Sequence, residues 1–237
     1  MKKMKTIIGI FVLVLVLSPA YGVVPTFTDT FDGPTMTNWV EYIPGAYNGS
    51  GQYVLSDNDY IYRTLDTDGS GDGSFQMSMS VSDIDMGSSP IGGSTPGTWL
   101  NYLIYTGSVY DLHIMAENVA TFPGTENTIL NYGLWGAWDY QETVGTLTSL
   151  DLLVNYNESA LTYTISRAIN GGAMQQVAVH NSAGSGSDYK IEYIYSGTTN
   201  GFPGEPTHAL DNYTIVPEPA TLALLCLGGL VLRRRKH

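Results

Sequence analysis

Cationic side chains are almost missing from the interior of this 237-residue chain. Of its ten Lys and Arg, Lys2, Lys3 and Lys5 precede residue 6, and Arg233, Arg234, Arg235 and Lys236 follow residue 232. Only Arg63, Arg167 and Lys190 lie between, whereas residues 23–217 hold 21 of the 22 Asp and Glu. Such a body has no electrostatic footprint for nucleic acid, which needs Lys and Arg clustered against phosphates. So acidic a body could attract divalent cations, or simply stay soluble by self-repulsion. Cysteine is nearly absent too. Cys226 is the only one, so no disulfide forms within the chain, and thiol catalysis or Cys-ligated zinc in the body is excluded. Long apolar runs are also lacking: Ile7–Leu17 has eleven residues and Ala220–Leu232 thirteen, both short for a bilayer span.

Several catalytic patterns are missing. There is no Gly-x-Ser-x-Gly elbow and no His-Glu-x-x-His, and His113, His180 and His208 stand isolated, as surface or strand histidines rather than zinc ligands. No glycine-rich loop precedes a helix to cradle a phosphate. The alternating carboxylates of "SDIDMGSS", Asp83 and Asp85, lack a third acid because Ser88 stands where it would fall. They read as a solvated strand face rather than a hydrolase site. The expectation is a protein that is not an enzyme.

The two ends are informative. Lys2, Lys3 and Lys5, the apolar run Ile7–Leu17, and "SPAYG" with small residues at Ala20 and Gly22 form a secretory signal peptide, cut after Gly22. Export without cysteine suits a bacterium. At the other end, Val216, Pro217, Glu218 and Pro219 precede the thirteen-residue run, which as a helix would be about 20 Å long. A basic tail follows, which keeps the C-terminus in the cytoplasm and the body outside. Motif, short helix with Gly228–Gly229, and terminal arginines together resemble the PEP-CTERM sorting signal. That resemblance implies processing by exosortase near Val216–Pro219, after passage of the inner membrane of a Gram-negative-type bacterium that makes exopolysaccharide. The helix would hold the protein in the membrane until cleavage.

Residues 23–215 read as one all-β domain. Short runs of strand-forming residues recur between Gly, Asn, Asp and Pro, about thirteen strands with no helix. "FQMSMSVS" alternates cleanly, with Phe75, Met77, Met79 and Val81 on one face. Ile84 and Met86 fall in the opposite phase, which predicts a bulge between Val81 and Ile84. "TILNYGLWGAW" reads as one strand, and "YNESAL" and "INGGAM" as hairpin turns. So many short strands predict a two-sheet antiparallel jelly roll. "FTDTFDGPTMTNW" near the start and "LDNYTI" as the last strand are similar to the concanavalin-like and laminin-G-like jelly rolls. That similarity implies first and last strands side by side.

Candidate ligand sites are few. Asp66, Asp68 and Asp72 in "DTDGSGDG" could serve calcium, although Met77 occupies the position of the bidentate Glu of an EF-hand. Asp29 and Asp211, where the first and last strands should meet, form a second candidate for structural calcium. For sugars, flat aromatic rings matter. In "YGLWGAWDY", Trp135 and Trp138 are three apart, hence on opposite faces of a strand: either both are buried in the sandwich packing, or one is in the core and the other exposed with Asp139 beside it as a sugar contact. Trp39 and Trp99 read as core. The leading expectation is a structural or adhesive surface or matrix protein associated with exopolysaccharide. The alternatives are a carbohydrate-binding, lectin-like module and a glycoside hydrolase without the usual Glu-x-Asp-x-x-Glu. One consequence is directly measurable: the intact mass of the exported protein should lack Ala220–His237, and with them Cys226.

Overall fold

The computed structural model describes residues 26–31, 39–43, 45–48, 52–56, 59–65, 73–86, 98–120, 126–183, 190–198 and 206–217. Its best-patterned strand is β6 (Phe75–Asp85), whose burial alternates from Phe75 to Val81. The phase then slips as expected. Ser82 and Asp83 both turn outward before Ile84 is buried, and Asp83 takes φ +47°. The partner strand β15 (Thr207–Pro217) records the same slip, because Thr207 pairs with Asp85 while Ala209 pairs with Ser82. One extra residue in β6 is the definition of a bulge.

Two antiparallel sheets form the body. The first runs in the order β13 (Gln175–Asn181), β12 (Thr162–Ile169), β11 (Leu150–Asn157), β6, β15, β4 (Tyr53–Leu55), β3 (Ala46–Tyr47), with β1 (Phe27–Asp29) also on β15. The second runs β10 (Ala137–Thr143), β9 (Glu126–Leu134), β8 (Val109–Ala120), β7 (Thr98–Thr106), β14 (Lys190–Thr198), β5 (Tyr60–Thr64), β2 (Val40–Ile43). The first and last strands do lie side by side, Phe27 opposite Ile215 and Asp29 opposite Tyr213. Among the described residues there are fifteen strands and no helix, so the all-β sandwich stands. The sequence run "TILNYGLWGAW" is not one strand but a hairpin: Leu134 pairs with Ala137, and Gly136 makes the turn at φ +76°. The two expected hairpin turns are present, with Leu161 at φ +50°, and Asn170 and Gly171 at φ +50° and +72°.

Between the sheets, Met77, Met79, Leu152 and Val154 of one meet Leu100, Tyr102, Ile114 and Leu130 of the other. Trp39 joins this core as expected, edge-on to Tyr213 at 5.1 Å. The core also contains charge. Glu192 is fully buried, accepts hydrogen bonds from Tyr102 (2.5 Å) and Tyr213 (2.5 and 2.6 Å), and faces Arg63 at 3.5 Å. Burial pushes its pKa up, with Arg63 and the two phenols acting against that rise. Arg63 also lies 4.1 Å from the Phe27 ring centre. The second buried acid, Asp111, faces Lys190 at 3.1 Å and accepts hydrogen bonds from Thr106, Tyr163 and Ser182, each at 2.6 Å. Burial alone would raise its pKa, but Lys190 and the three hydroxyls outweigh it and hold the carboxyl well below the usual range.

Removing one partner from such a pair leaves a bare charge in the core, which costs about 3–5 kcal/mol. Lys190→Met should lower unfolding stability in urea by about that amount, and adding Asp111→Leu should recover most of it. Because the Asp111 pKa is depressed in the fold, its contribution is complete near neutral pH and is lost only as pH falls below the carboxylate range.

Candidate functional site

Alternation along the second sheet divides its side chains between two faces. Leu100, Tyr102 and Ile104 of β7 point into the core, as do Leu112, Ile114 and Ala116 of β8. Asn101, Leu103 and Tyr105 of β7, and His113, Met115 and Glu117 of β8, therefore point outward. On β5 and β14 the same rule turns two Tyr-Ile-Tyr stretches outward, with both isoleucines in the core. Those stretches are paired in register, Tyr62 opposite Tyr193 and Tyr60 opposite Tyr195.

A band of tyrosines results. Tyr110 lies 4.3 Å from Tyr105, ring centre to ring centre, Tyr105 lies 5.2 Å from Tyr193, and Tyr193 lies 5.6 Å from Tyr62 and 6.4 Å from Tyr60. Tyr42 of β2 closes the row, stacked on Tyr60 at 4.7 Å. The band crosses five neighbouring strands, a span of about 20 Å at ordinary strand spacing. Its ends are open, Tyr42 being 67% and Tyr110 50% exposed.

Beyond the band lies a polar sector. His113 Nε2 is 2.7 Å from Asn101 Oδ1. Asn131 donates to Glu117 at 2.8 Å and accepts from Gln141. His113, Asn101 and Asn131 point away from the core yet are buried. Trp135 stacks on His113 with ring centres 5.7 Å apart, and Trp138 lies tilted against it at 5.1 Å. Burial lowers the His113 pKa to about 4, and that of the core residue His208 to about 3, so both are neutral at pH 7. Burial also raises the Glu117 pKa against the pull of Asn131. His113 Nδ1 is buried and has no hydrogen-bond partner among the described residues.

The sequence-predicted residues fall in several places. Trp135 and Trp138 are not on opposite faces, because the turn at Gly136 folds the chain between them and both reach His113. Trp135 is 63% exposed and Trp138 half-buried, so neither is in the core. Asp139 does not stand beside them as a free polar group; its carboxylate binds His180 Nδ1 at 2.5 Å, joining the edge strands β10 and β13 of the two sheets. The three described histidines, His113, His180 and His208, are all on strands and all buried rather than at the surface. Trp99 is half-buried on the outward face rather than in the core, since its parity follows Asn101. Asp29 caps the Phe31 amide at 2.9 Å, and Asp211 accepts from Gln52. Among the described residues no three His, Cys, Asp or Glu gather as a metal cluster. Asp66, Asp68 and Asp72, the signal cleavage residues Ala20 and Gly22, and Glu218 and Pro219 lie outside the described residues, whereas Val216 and Pro217 end β15. No described helix is long and apolar enough to cross a membrane, and the expected C-terminal helix lies outside the described residues. The outward tyrosines were not singled out from sequence, though the doubled Tyr-Ile-Tyr was the available signal.

Residues 216–236 match the PEP-CTERM protein-sorting motif. A search of curated proteins found no match. Among solved structures the fold is similar to the CBM2 module of an evolved Dit protein of Lactobacillus casei BL23 phage J-1. The TM-score is 0.55 at 6% identity, covering 80% of this chain and 93% of that one. It is similar to the alginate lyase from Klebsiella pneumoniae, with a TM-score of 0.54 at 7% identity, covering 74% and 84%. It is similar too to lectin I from Ulex europaeus, solved with the methyl glycoside of α-L-fucose, with a TM-score of 0.51 at 11% identity, covering 81% and 96%. At these identities the likeness is one of jelly-roll fold.

The buried neutral imidazoles have a consequence for stability. As pH falls below the ordinary histidine value of 6.5, the unfolded chain takes up protons that folded His113 and His208 refuse until about 4 and 3. The urea midpoint should therefore be lower at pH 4.5 than at pH 7, and His113→Gln should shrink that difference.

Proposed function

We propose that this chain is an exported surface or matrix protein whose sandwich binds polysaccharide through the outward face of its second sheet. The observation that carries the reading is the tyrosine band from Tyr42 to Tyr110, continued by Trp135 and Trp138. An aromatic row left half-open across five strands is unusual for a face with no partner, and aromatic rings with polar tips suit sugars, whose rings have apolar faces and hydroxyl rims. The sorting motif supports delivery to the cell exterior through exosortase. The lectin neighbour, crystallised with a fucoside, supports the compatibility of this fold with glycan binding.

Binding rather than catalysis fits the placement of the carboxylates. Asp83 and Asp85, the one alternating acid pair considered for hydrolysis, are exposed on β6 of the other sheet, away from the aromatic band. An adhesive role within exopolysaccharide would follow from such binding, with the jelly roll as scaffold. Calcium is not needed for the contacts described.

A glycan array probed with the full chain in detergent, with and without calcium, tests this. Specific binding should appear in both conditions. Tyr42→Ala and Trp135→Ala, both at exposed rings, should weaken it by about tenfold each without moving the unfolding midpoint. Binding to no glycan, or binding indifferent to both substitutions, would refute the reading.

A further inference from the structure

We infer that the polysaccharide taken by this face is an uncharged one, recognised through its hydroxyls rather than through carboxylate or sulfate groups. The inference rests on the glycan-binding reading above and names its ligand class. Recognition of a polyanion needs Arg or Lys aimed at the anionic group, because a carboxylate removed from water without a partner is strongly disfavoured. Only Arg63, Arg167 and Lys190 lie between Lys5 and Arg233, and all three are engaged elsewhere.

Arg63 is 5% exposed and lies inside the sandwich against Glu192, packed on the Phe27, Tyr213 and Trp39 rings. Its strand neighbour Tyr62 carries the outward face instead. Lys190 is 1% exposed, held by Asp111 and Thr106 above the Tyr156 ring. Arg167 belongs to β12 of the other sheet and makes a two-pronged contact with Glu142, through Nε at 2.8 Å and Nη2 at 2.5 Å. None of them points from the outward face.

What the face offers instead is neutral. It presents tyrosine phenols and the exposed amide of Gln141, above a buried layer of Asn101, Asn131 and the His113 imidazole, which carries no charge at neutral pH. The buried Nδ1 of His113, without a partner among the described residues, sits under Trp135 as an unused polar atom. Phenols and an exposed amide both donate and accept, which matches sugar hydroxyls that do the same. The one carboxylate of this cluster, Glu117, would repel an acidic chain, and so would the acidic excess of the whole body. The fold neighbour that is an alginate lyase therefore does not set the ligand class here.

Matched polymers separate charge from sugar identity. Soluble glucan, mannan, galactan and xylan are each compared by affinity electrophoresis with the full chain, in native form and after partial conversion to carboxylated derivatives. At least one native polymer should retard the protein, and its carboxylated form should bind about tenfold more weakly at low salt, since an unpartnered carboxylate is disfavoured at the face. Alginate, polygalacturonate and chondroitin sulfate should not retard it. Equal or tighter binding to any of these anionic polymers would overturn the uncharged-ligand assignment while leaving glycan binding intact. Retardation by no polymer, charged or uncharged, would overturn the glycan-binding reading itself. The variant Thr64→Lys, on an exposed β5 position of the same parity as Tyr60 and Tyr62, should bring the carboxylated polymer closer to the native one.

Discussion

Two ionic knots cross the space between the sheets, and they use two of the body's three cations. In one, Arg63 of β5 and Glu192 of β14 are tied to Tyr213 of β15 across the sandwich. In the other, Lys190 of β14 and Asp111 of β8 are tied to Tyr163 of β12. The alternative partner for each buried carboxylate would be water, which the core excludes, so each knot must be complete for the sheets to close. This constraint fixes how the sheets face one another, because phenols from one must meet acids from the other. Arg167 and Glu142, with His180 and Asp139, close the same rim of the sandwich from outside.

The internal use of the cations shapes the exterior. With Arg63 and Lys190 inside the sandwich and Arg167 paired to Glu142 at the β10 rim, the outward face of the second sheet is left to rings and amides. That face joins the tyrosine band to the Trp135–His113–Trp138 cluster through β8, which contributes both Tyr110 and His113. The proposed preference for uncharged chains thus has its origin in the scarcity of Lys and Arg.

Much of the fold was legible because local period and local chemistry agreed. The alternation of β6, its slip before Ile84, and the turns at Leu161 and Asn170–Gly171 all follow from residue type alone. The β9–β10 hairpin was not legible because its two central residues, Trp135 and Gly136, continue an apolar run, and only Gly136 marks the turn. The strand β8 defeats alternation altogether, since Asp111 to Asn118 are buried on both faces. The buried pairs could not be foreseen either, as Lys190 and Asp111 lie 79 residues apart and no short-range pattern links them. The site was read from Trp135 and Trp138 without His113, because ring contacts between strands do not show in sequence spacing.

The pairing of β1 with β15 has a mechanical side. Phe27 lies beside Ile215, so the entering and leaving ends of the body emerge from the same pole. Val216 and Pro217, the start of the sorting motif, are still paired with Gln76 and Phe75 of β6. No slack separates the folded body from the motif. Tension on the tail would run straight down β15, where the long ladder to β6 shares it among many hydrogen bonds in shear. β1 adds only three paired residues on the other side of β15.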